Sequence, residues 1–92
     1  MIQSFACTET YELFTERTSR RWTNIRGTAL RKLDQLEASV KLDDLRIPPG
    51  NQLEALKGDR KGQHSIRIND QWRICFVWKT DGAHAVEIVD YH

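Results

Sequence analysis

The residues best suited to proton transfer stand side by side at the end of the chain, as Asp90, Tyr91 and His92. An imidazole titrates near neutral pH, so His92 could give or accept a proton, and Asp90 could act as a base or orient an imidazole. Tyr91 could donate a proton or stack on a nucleobase. Lys57 and Arg73 could neutralise a phosphate, and the planar guanidinium of Arg73 suits a bidentate grip on its oxygens.

Together these residue types suit the cleavage of RNA without a metal ion. The 2′-hydroxyl of RNA is a nucleophile already placed beside the phosphorus, so the reaction needs a base for that hydroxyl, an acid for the leaving 5′-oxygen and cations for the phosphorane. Each residue also has an ordinary interpretation. The last three residues could be a frayed strand end, Lys57 a solvated cation, and Arg73 the partner of a carboxylate such as Glu87 across a hairpin.

The histidines and cysteines do not form a metal-binding pattern. His64, His84 and His92 are widely separated, and Cys7 and Cys75 lie far apart in the chain. Structural zinc sites instead use closely spaced pairs of these residue types. There is also no phosphate-binding P-loop and no nucleophile elbow. The sequence therefore predicts no cofactor, no metal site and no disulfide, with Cys75 as a small buried strand residue.

The net charge of +1 conceals two basic segments. Residues 17–32 contain six basic side chains and no acidic one, and residues 57–79 contain six basic side chains against two acidic ones. Local basic faces of this kind suit a polyanion such as RNA, although a plain solvated face has the same composition. The candidate RNA contacts in these segments are Arg20, Arg21, Arg26, Arg60, Lys61 and Arg67.

The first half of the chain predicts two helices. Thr8 is a suitable N-cap for the first helix, which is expected to fray near residues 17–19. Apolar residues then recur at steps of three and four, and they predict an amphipathic second helix from about Thr23 to Ser39. Ile2–Phe5 alternates briefly, as a short edge strand does, and Pro48–Gly50 predicts a loop after the helices.

The second half predicts an antiparallel meander, because β-branched and aromatic residues alternate with polar ones between turn signals. Its strands run through Ser65–Ile68, Gln71–Lys79 and Ala85–His92. The helix-covered face of the middle strand would carry Trp72, Ile74, Phe76 and Trp78. Arg73 would then lie on the open face of the sheet.

The predicted class is α+β: two N-terminal helices packed on a small, mostly antiparallel sheet, in one domain covering residues 1–92. No segment approaches the ~18 consecutive apolar residues of a membrane span. The opening residues lack the basic lead and apolar length of a signal peptide, so we expect a cytoplasmic protein.

Several motifs resemble the HigB branch of the RelE-type toxin family, in particular its GraT-like members. The resemblance covers nearly the whole chain, from Met1–Phe5 through Pro48-Pro49-Gly50-Asn51 to the end. Its most specific features are Leu56-Lys57-Gly58-Asp59-Arg60, Ser65-Ile66-Arg67-Ile68-Asn69, Gln71-Trp72-Arg73-Ile74-Cys75-Phe76 and Val89-Asp90-Tyr91-His92.

The resemblance implies a RelE/microbial-RNase-like fold and ribosome-dependent cleavage of mRNA, which inhibits translation and arrests growth. It implies a helix-turn-helix antitoxin of the HigA type as partner, with operator DNA contacted only through that antitoxin. By the same resemblance, Lys57, Asp90, Tyr91 and His92 fall on active-site positions. Arg73 falls on a position suited to the scissile phosphate.

The chain departs from the family pattern at Glu54, where some members carry a histidine. A carboxylate there could act as a base, which makes Glu54 a further candidate site residue, but it also adds negative charge near RNA. The alternative hypothesis is therefore a non-catalytic module of the same fold that binds RNA or an antitoxin.

Overall fold

The computed structural model describes residues 1–90. Its helices are α1 (Thr8–Glu16) and α2 (Arg26–Ala38), and its strands are β1 (Glu54–Ala55), β2 (His64–Arg67), β3 (Trp72–Lys79) and β4 (Gly82–Asp90). Short 3₁₀ turns lie at Leu42–Arg46, Pro49–Asn51 and Gly58–Arg60. Among the described residues, no helix is long and apolar enough to cross a bilayer. The two helices precede the strands in the chain, and this order confirms the predicted α+β class.

Helix α1 is joined to the sheet by a buried threonine. Cys7, and not the predicted Thr8, is the N-cap, and its side chain makes no capping hydrogen bond. Thr10 is fully buried, and its Oγ1 accepts a hydrogen bond from the backbone N–H of Ile88 in β4 at 3.1 Å. The helix ends where Arg17 adopts a left-handed conformation with φ 63°. One short polar side chain therefore fills space in the core and satisfies a backbone group of the sheet.

Helix α2 begins at Arg26, three residues later than the predicted Thr23. The cause is Ser19, whose Oγ accepts hydrogen bonds from the backbone N–H groups of Arg21 at 3.1 Å and Trp22 at 3.3 Å. A serine that binds the backbone in this way holds the chain in a turn. Trp22 is nevertheless buried, as its place in the apolar pattern predicts. The buried residues of α2 are Ala29, Leu33 and Leu36.

The strands within residues 1–90 form one antiparallel sheet in the order β1-β2-β3-β4. The last three strands confirm the predicted meander, whereas the short strand β1 was not predicted. The predicted helix-side residues of β3 all lie in the core or pack against it: Trp72, Ile74, Phe76 and Trp78. The opposite face is not open, however, because Arg73 and Cys75 are both buried. The expectation of an exposed Arg73 on this face is therefore wrong.

A β-bulge in β4 decides which residues of this strand face the helices. The register with β3 shifts between Cys75 and Val77, so β4 carries an extra residue there. Ala85 lies at the bulge with φ 52°, in the left-handed region. Because strand side chains alternate between faces, the extra residue places Glu87 on the same side as Cys75 and turns Ile88 into the core.

The N-terminal segment covers part of the outer edge of β4. The predicted edge strand at Ile2–Phe5 is reduced to isolated parallel bridges, from Ile2 to Ala83 and from Phe5 to Val86. Backbone hydrogen bonds accompany them, including the 2.7 Å bond from the N–H of Gln3 to the carbonyl of Ala83. An edge covered in this way offers fewer unpaired backbone groups to other chains.

Candidate active site

Side chains from four strands share one row across the sheet face that turns away from the helices. Glu54 pairs with Ser65, Ser65 with Cys75, and Cys75 with Glu87. Arg73 lies two residues from Cys75 along β3 and therefore on the same face. Together these five residues form the polar face. Ser65, Arg73 and Cys75 are buried and form the centre of the polar face. A substrate would therefore contact the more exposed residues around them.

The guanidinium of Arg73 is a cation at the floor of the polar face, with 8% of its side chain exposed. Its Nε donates a hydrogen bond to Ser65 Oγ at 2.7 Å, and its Nη2 donates to the backbone carbonyl of Gln52 at 2.6 Å. Nη2 also lies 3.7 Å from Oε1 of Glu54. These contacts offset the desolvation of a buried charge. The edge of the guanidinium that carries Nε and Nη2 therefore already binds the protein. We expect Arg73 to act on a phosphate through its positive charge and not through the predicted bidentate contact.

Glu87 pairs with Arg60, which excludes the interpretation that makes Glu87 the partner of Arg73. Nη1 of Arg60 donates to Oε1 of Glu87 at 2.9 Å and to Oε1 of Gln63 at 3.1 Å. The two charged side chains are 36% and 24% exposed. Burial raises the pKa of the neighbouring Cys75 thiol, and the positive charge of Arg60 opposes that shift. The ion pair between Arg60 and Glu87 covers the polar face on the side of β4.

Lys57 is an exposed cation between β1 and β2. It is the N-cap of the Gly58–Arg60 turn, in an extended conformation. Because β1 runs antiparallel to β2, Lys57 and Arg73 lie on opposite sides of the row that contains Glu54. Lys57 makes no ion pair with any of residues 1–90, so an anionic ligand can reach it.

Asp90 ends β4 as an exposed residue close to the row of Arg73. Arg73 pairs with Val89 and Trp72 with Asp90, so Asp90 lies one position beyond Val89 and its side chain shares the face of Trp72, opposite to that of Arg73. Oδ2 of Asp90 accepts a hydrogen bond from Nε2 of Gln71 at 3.2 Å, which orients the carboxylate. Gln71 was not apparent as a site residue from the sequence, because only the β3–β4 register brings it to Asp90.

The predicted catalytic residues are thus brought together in part. Arg73 and Asp90 lie on neighbouring strands but on opposite faces of the sheet, and Glu54 lies beside the guanidinium. Lys57 lies across the polar face from Arg73. The other two predicted catalytic residues, Tyr91 and His92, lie outside the described residues.

The six candidate RNA contacts divide into two groups. Arg21 pairs with Glu9 at 2.7 Å, Arg60 with Glu87, and Arg67 with Asp70. The other three are exposed and form no ion pair within the described part of the chain: Arg20, Arg26 and Lys61. Among the candidate contacts, the positive charge that a polyanion can reach is therefore on this second group and on Lys57.

The two described histidines serve other contacts. His64 stacks on Phe76 on the helix side of the sheet, with ring centroids 6.3 Å apart. His84 binds Asp81, with Nε2 2.6 Å from Oδ1. Across residues 1–90, no group of three or more His, Cys, Asp or Glu side chains comes together as a metal site would require.

Similarity to known proteins covers almost the whole chain. A family described as "RelE-like toxin of type II toxin-antitoxin system HigB" matches residues 4–92. Toxin HigB-1 from Vibrio cholerae serotype O1 is 44% identical over 70 residues, which are 76% of this chain and 73% of that protein. Endoribonuclease HigB from Proteus vulgaris is 42% identical over 40 residues, which are 44% of each chain.

Solved structures show the same fold at low sequence identity. The structure of the YoeB–YefM complex from Staphylococcus aureus contains a chain that is 17% identical with a TM-score of 0.62, and the match covers 100% of this chain and 98% of that one. YafQ from E. coli is 12% identical with a TM-score of 0.58, and the match covers 98% and 91%. The family match and the V. cholerae relative confirm the resemblance found in the motifs. The chain belongs to the HigB-like family, the RelE-like toxins of type II toxin–antitoxin systems.

Proposed function

We propose that this toxin is an endoribonuclease that cleaves mRNA on the ribosome and thereby inhibits translation. The observation that carries the proposal is the placement of exposed Lys57 and the buried cation Arg73 on the two sides of the polar face, with Asp90 at the end of the strand next to Arg73. Cations for the phosphorane and a carboxylate that can act as a base are among the elements that phosphodiester cleavage needs. The similarity to a P. vulgaris protein named Endoribonuclease HigB supports the same activity.

The proposed reaction uses the 2′-hydroxyl of the RNA as nucleophile and needs no metal ion. Asp90 or His92 removes the proton of that hydroxyl, the 2′-oxygen bonds to phosphorus, and the bond to the 5′-oxygen breaks. The departing 5′-oxygen takes a proton, so the products are a 2′,3′-cyclic phosphate and a 5′-hydroxyl. Lys57 approaches the phosphorane as an exposed cation, and Arg73 adds positive potential from below. Tyr91 positions the nucleotide.

The toxin has few groups that could position an RNA substrate, which explains the proposed dependence on the ribosome. A ribosome holds mRNA in a defined geometry, which replaces positioning that the small toxin would otherwise supply itself. Exposed Arg20, Arg26 and Lys61 would contact ribosomal RNA phosphates, which position the protein without reading sequence. The proposed site of action is therefore the cytoplasm.

The proposed partner is a helix-turn-helix antitoxin of the HigA type. Family membership in a type II toxin–antitoxin system supports an antitoxin partner, and the YoeB–YefM structure shares this fold. Operator DNA would be bound through the antitoxin, as the resemblance to the family implies.

The second candidate function is a non-catalytic module that binds RNA or an antitoxin. The position of Glu54, 3.7 Å from Arg73, favours it, because a carboxylate there weakens the potential that a phosphate would meet. The pairing of Arg60 with Glu87 acts in the same direction.

Programmed ribosomes distinguish the two functions. The purified toxin is incubated with ribosomes carrying a defined mRNA, and new 5′ ends are mapped for the wild type, Lys57→Ala, Asp90→Asn and a chain that lacks His92. Lys41→Ala, an exposed lysine outside the site, is the matched control. We expect cleavage by the wild type and the control, with losses on the order of 100-fold in the site variants.

The substrate itself tests the chemistry. A 2′-deoxynucleotide at the cleaved position should block the reaction, and the upstream product should otherwise end in a cyclic phosphate. Intact mRNA at stoichiometric toxin would establish the binding module instead. Cleavage that is unchanged in every site variant would refute the residue assignment.

A further inference from the structure

The ion pair between Arg60 and Glu87 spans the polar face. Arg60 belongs to the turn between β1 and β2, whereas Glu87 lies on β4, two strands away from β2. Their side chains meet with Nη1 2.9 Å from Oε1. The contact therefore joins the turn at one side of the sheet to the strand that ends in Asp90.

The turn that contains Arg60 is closed at its base by the backbone hydrogen bond from the N–H of Leu56 to the carbonyl of Gln63 at 2.9 Å. None of the residues in Gly58–Arg60 is buried, and its backbone bonds are local, such as the one from the N–H of Arg60 to the carbonyl of Lys57 at 3.3 Å. Gly58 and Gly62 have φ 63° and φ 96°, conformations that glycine adopts without strain. A short segment of this kind, flanked by two glycines, depends on a tertiary contact to keep one conformation.

The Arg60–Glu87 pair can supply that contact because it is partly shielded from solvent. With 36% and 24% of their side chains exposed, the two groups are screened less than a surface pair. The second hydrogen bond from Arg60, to Gln63 at 3.1 Å, ties the pair to the residue just before β2. The guanidinium is thus held by β4 and by the last residue of the segment that Lys57 opens.

We propose that Glu87 is a positioning residue, which holds Arg60 and thereby places Lys57 for the cleavage of RNA. The inference rests on the proposed endoribonuclease function and adds to it a residue that need not contact RNA. It also assigns Arg60 a structural role instead of the RNA contact predicted from its charge. Loss of the Glu87 carboxylate would release the turn and misplace Lys57 with it.

A double-mutant cycle tests the coupling between Glu87 and Lys57. Single-turnover cleavage on programmed ribosomes is measured for the wild type, Glu87→Ala, Lys57→Ala and the double variant. We expect Glu87→Ala to slow cleavage at saturating ribosomes by roughly tenfold to a hundredfold, with half-saturation changed less than about twofold. Lys57→Ala should then cost much less in the Glu87→Ala background than in the wild type, because its amine is already misplaced.

Two further variants serve as controls for the cycle. Glu87→Gln keeps an oxygen that can accept from Arg60 and should retain most of the activity. Asp43→Ala removes the carboxylate of another arginine pair, with Arg46, far along the chain from the site, and should cleave like the wild type. If Lys57→Ala costs the same in both backgrounds, Glu87 does not position Lys57. Tighter binding to ribosomes by Glu87→Ala would mean that Glu87 only masks Arg60, and it would also overturn the proposal.

Amide hydrogen exchange tests the anchor without any activity. The N–H groups of Arg60, Lys61 and Gln63 bind carbonyls within the turn, at 3.3, 3.1 and 3.0 Å. In Glu87→Ala, we expect these amides to exchange at least about tenfold faster while those of β3 stay protected. Unchanged exchange in the turn would refute the anchor, even in a protein that cleaves RNA. Absence of cleavage by the wild type would instead refute the proposed function and leave the exchange result standing.

Discussion

The carboxylate of Glu54 lies 3.7 Å from the guanidinium of Arg73 and stands nearer to solvent, with 46% of its side chain exposed against 8%. An approaching phosphate would therefore meet the negative charge of Glu54 before it reaches the positive charge below. At a distance of 4 Å, two unit charges interact by ~1 kcal/mol in water and more in a partly buried site. We therefore predict that Glu54 slows the proposed cleavage reaction.

Replacing the Glu54 carboxylate by an amide should therefore increase activity. Glu54→Gln keeps the shape of the side chain and removes its charge, so we expect single-turnover cleavage on programmed ribosomes to rise by roughly threefold to tenfold. Glu16→Gln, on the exposed side of α1, is the control for a change in net charge. A large loss of cleavage in Glu54→Gln would show instead that this carboxylate is the general base.

Arg73 should also contribute to the stability of the fold. In Arg73→Met, Ser65 and Gln52 lose the hydrogen bonds that they accept from the guanidinium, so we expect the free energy of unfolding in urea to fall by about 1–3 kcal/mol. Arg46→Ala, which breaks an exposed pair with Asp43, should change it by less than about 1 kcal/mol. Equal stability of the two variants would show that the buried contacts of Arg73 contribute nothing net.

Production of the chain in cells should arrest growth. The expected cause is the loss of intact mRNA, and a small helix-turn-helix protein encoded beside the toxin gene should restore growth when it is produced together with it. Growth is followed by culture density, and a folded Lys57→Ala variant serves as the control for the burden of production. Normal growth with abundant, folded wild-type protein would contradict the proposed activity.

Asp44 should make the fold sensitive to acid. Its Oδ2 accepts hydrogen bonds from the backbone N–H groups of Lys41 at 3.0 Å and Val40 at 2.9 Å, and these bonds lower its pKa below the usual 3.8. A carboxyl whose folded pKa is depressed stabilises the fold above its unfolded pKa, and this contribution disappears as the pH falls through the folded pKa.

The measurement is Tm as a function of pH for the wild type and Asp44→Ala. We expect the variant to melt at a lower temperature at pH 7, with the difference shrinking below about pH 3.8. Glu16→Ala, an exposed carboxylate on α1, should show no such pattern. A difference in Tm that stays constant from pH 7 to pH 2 would exclude the carboxylate as its source.

The amino-acid sequence by itself determined the order of helices and strands and the side of β3 that enters the core. Alternation at Trp72, Ile74, Phe76 and Trp78 has a period of two, and only one face of such a strand can bury its aromatic residues. The motif at Lys57 and the final Asp90-Tyr91-His92 also led to the family, which the match over residues 4–92 shows.

The tertiary structure alone decided which charges meet. Arg73 lies in β3 and Arg60 in the turn before β2, and nothing in their sequence neighbourhoods indicates that Glu54 lies beside the first and Glu87 beside the second. The bulge at Ala85 settles the position of Glu87, because one extra residue in β4 moves Glu87 opposite Cys75 and reverses the facing of every residue after it. The pairing of β1 with β2 and of β2 with β3 brings Glu54 to Arg73. Such a register depends on contacts between distant strands, and a local pattern of residues cannot encode it.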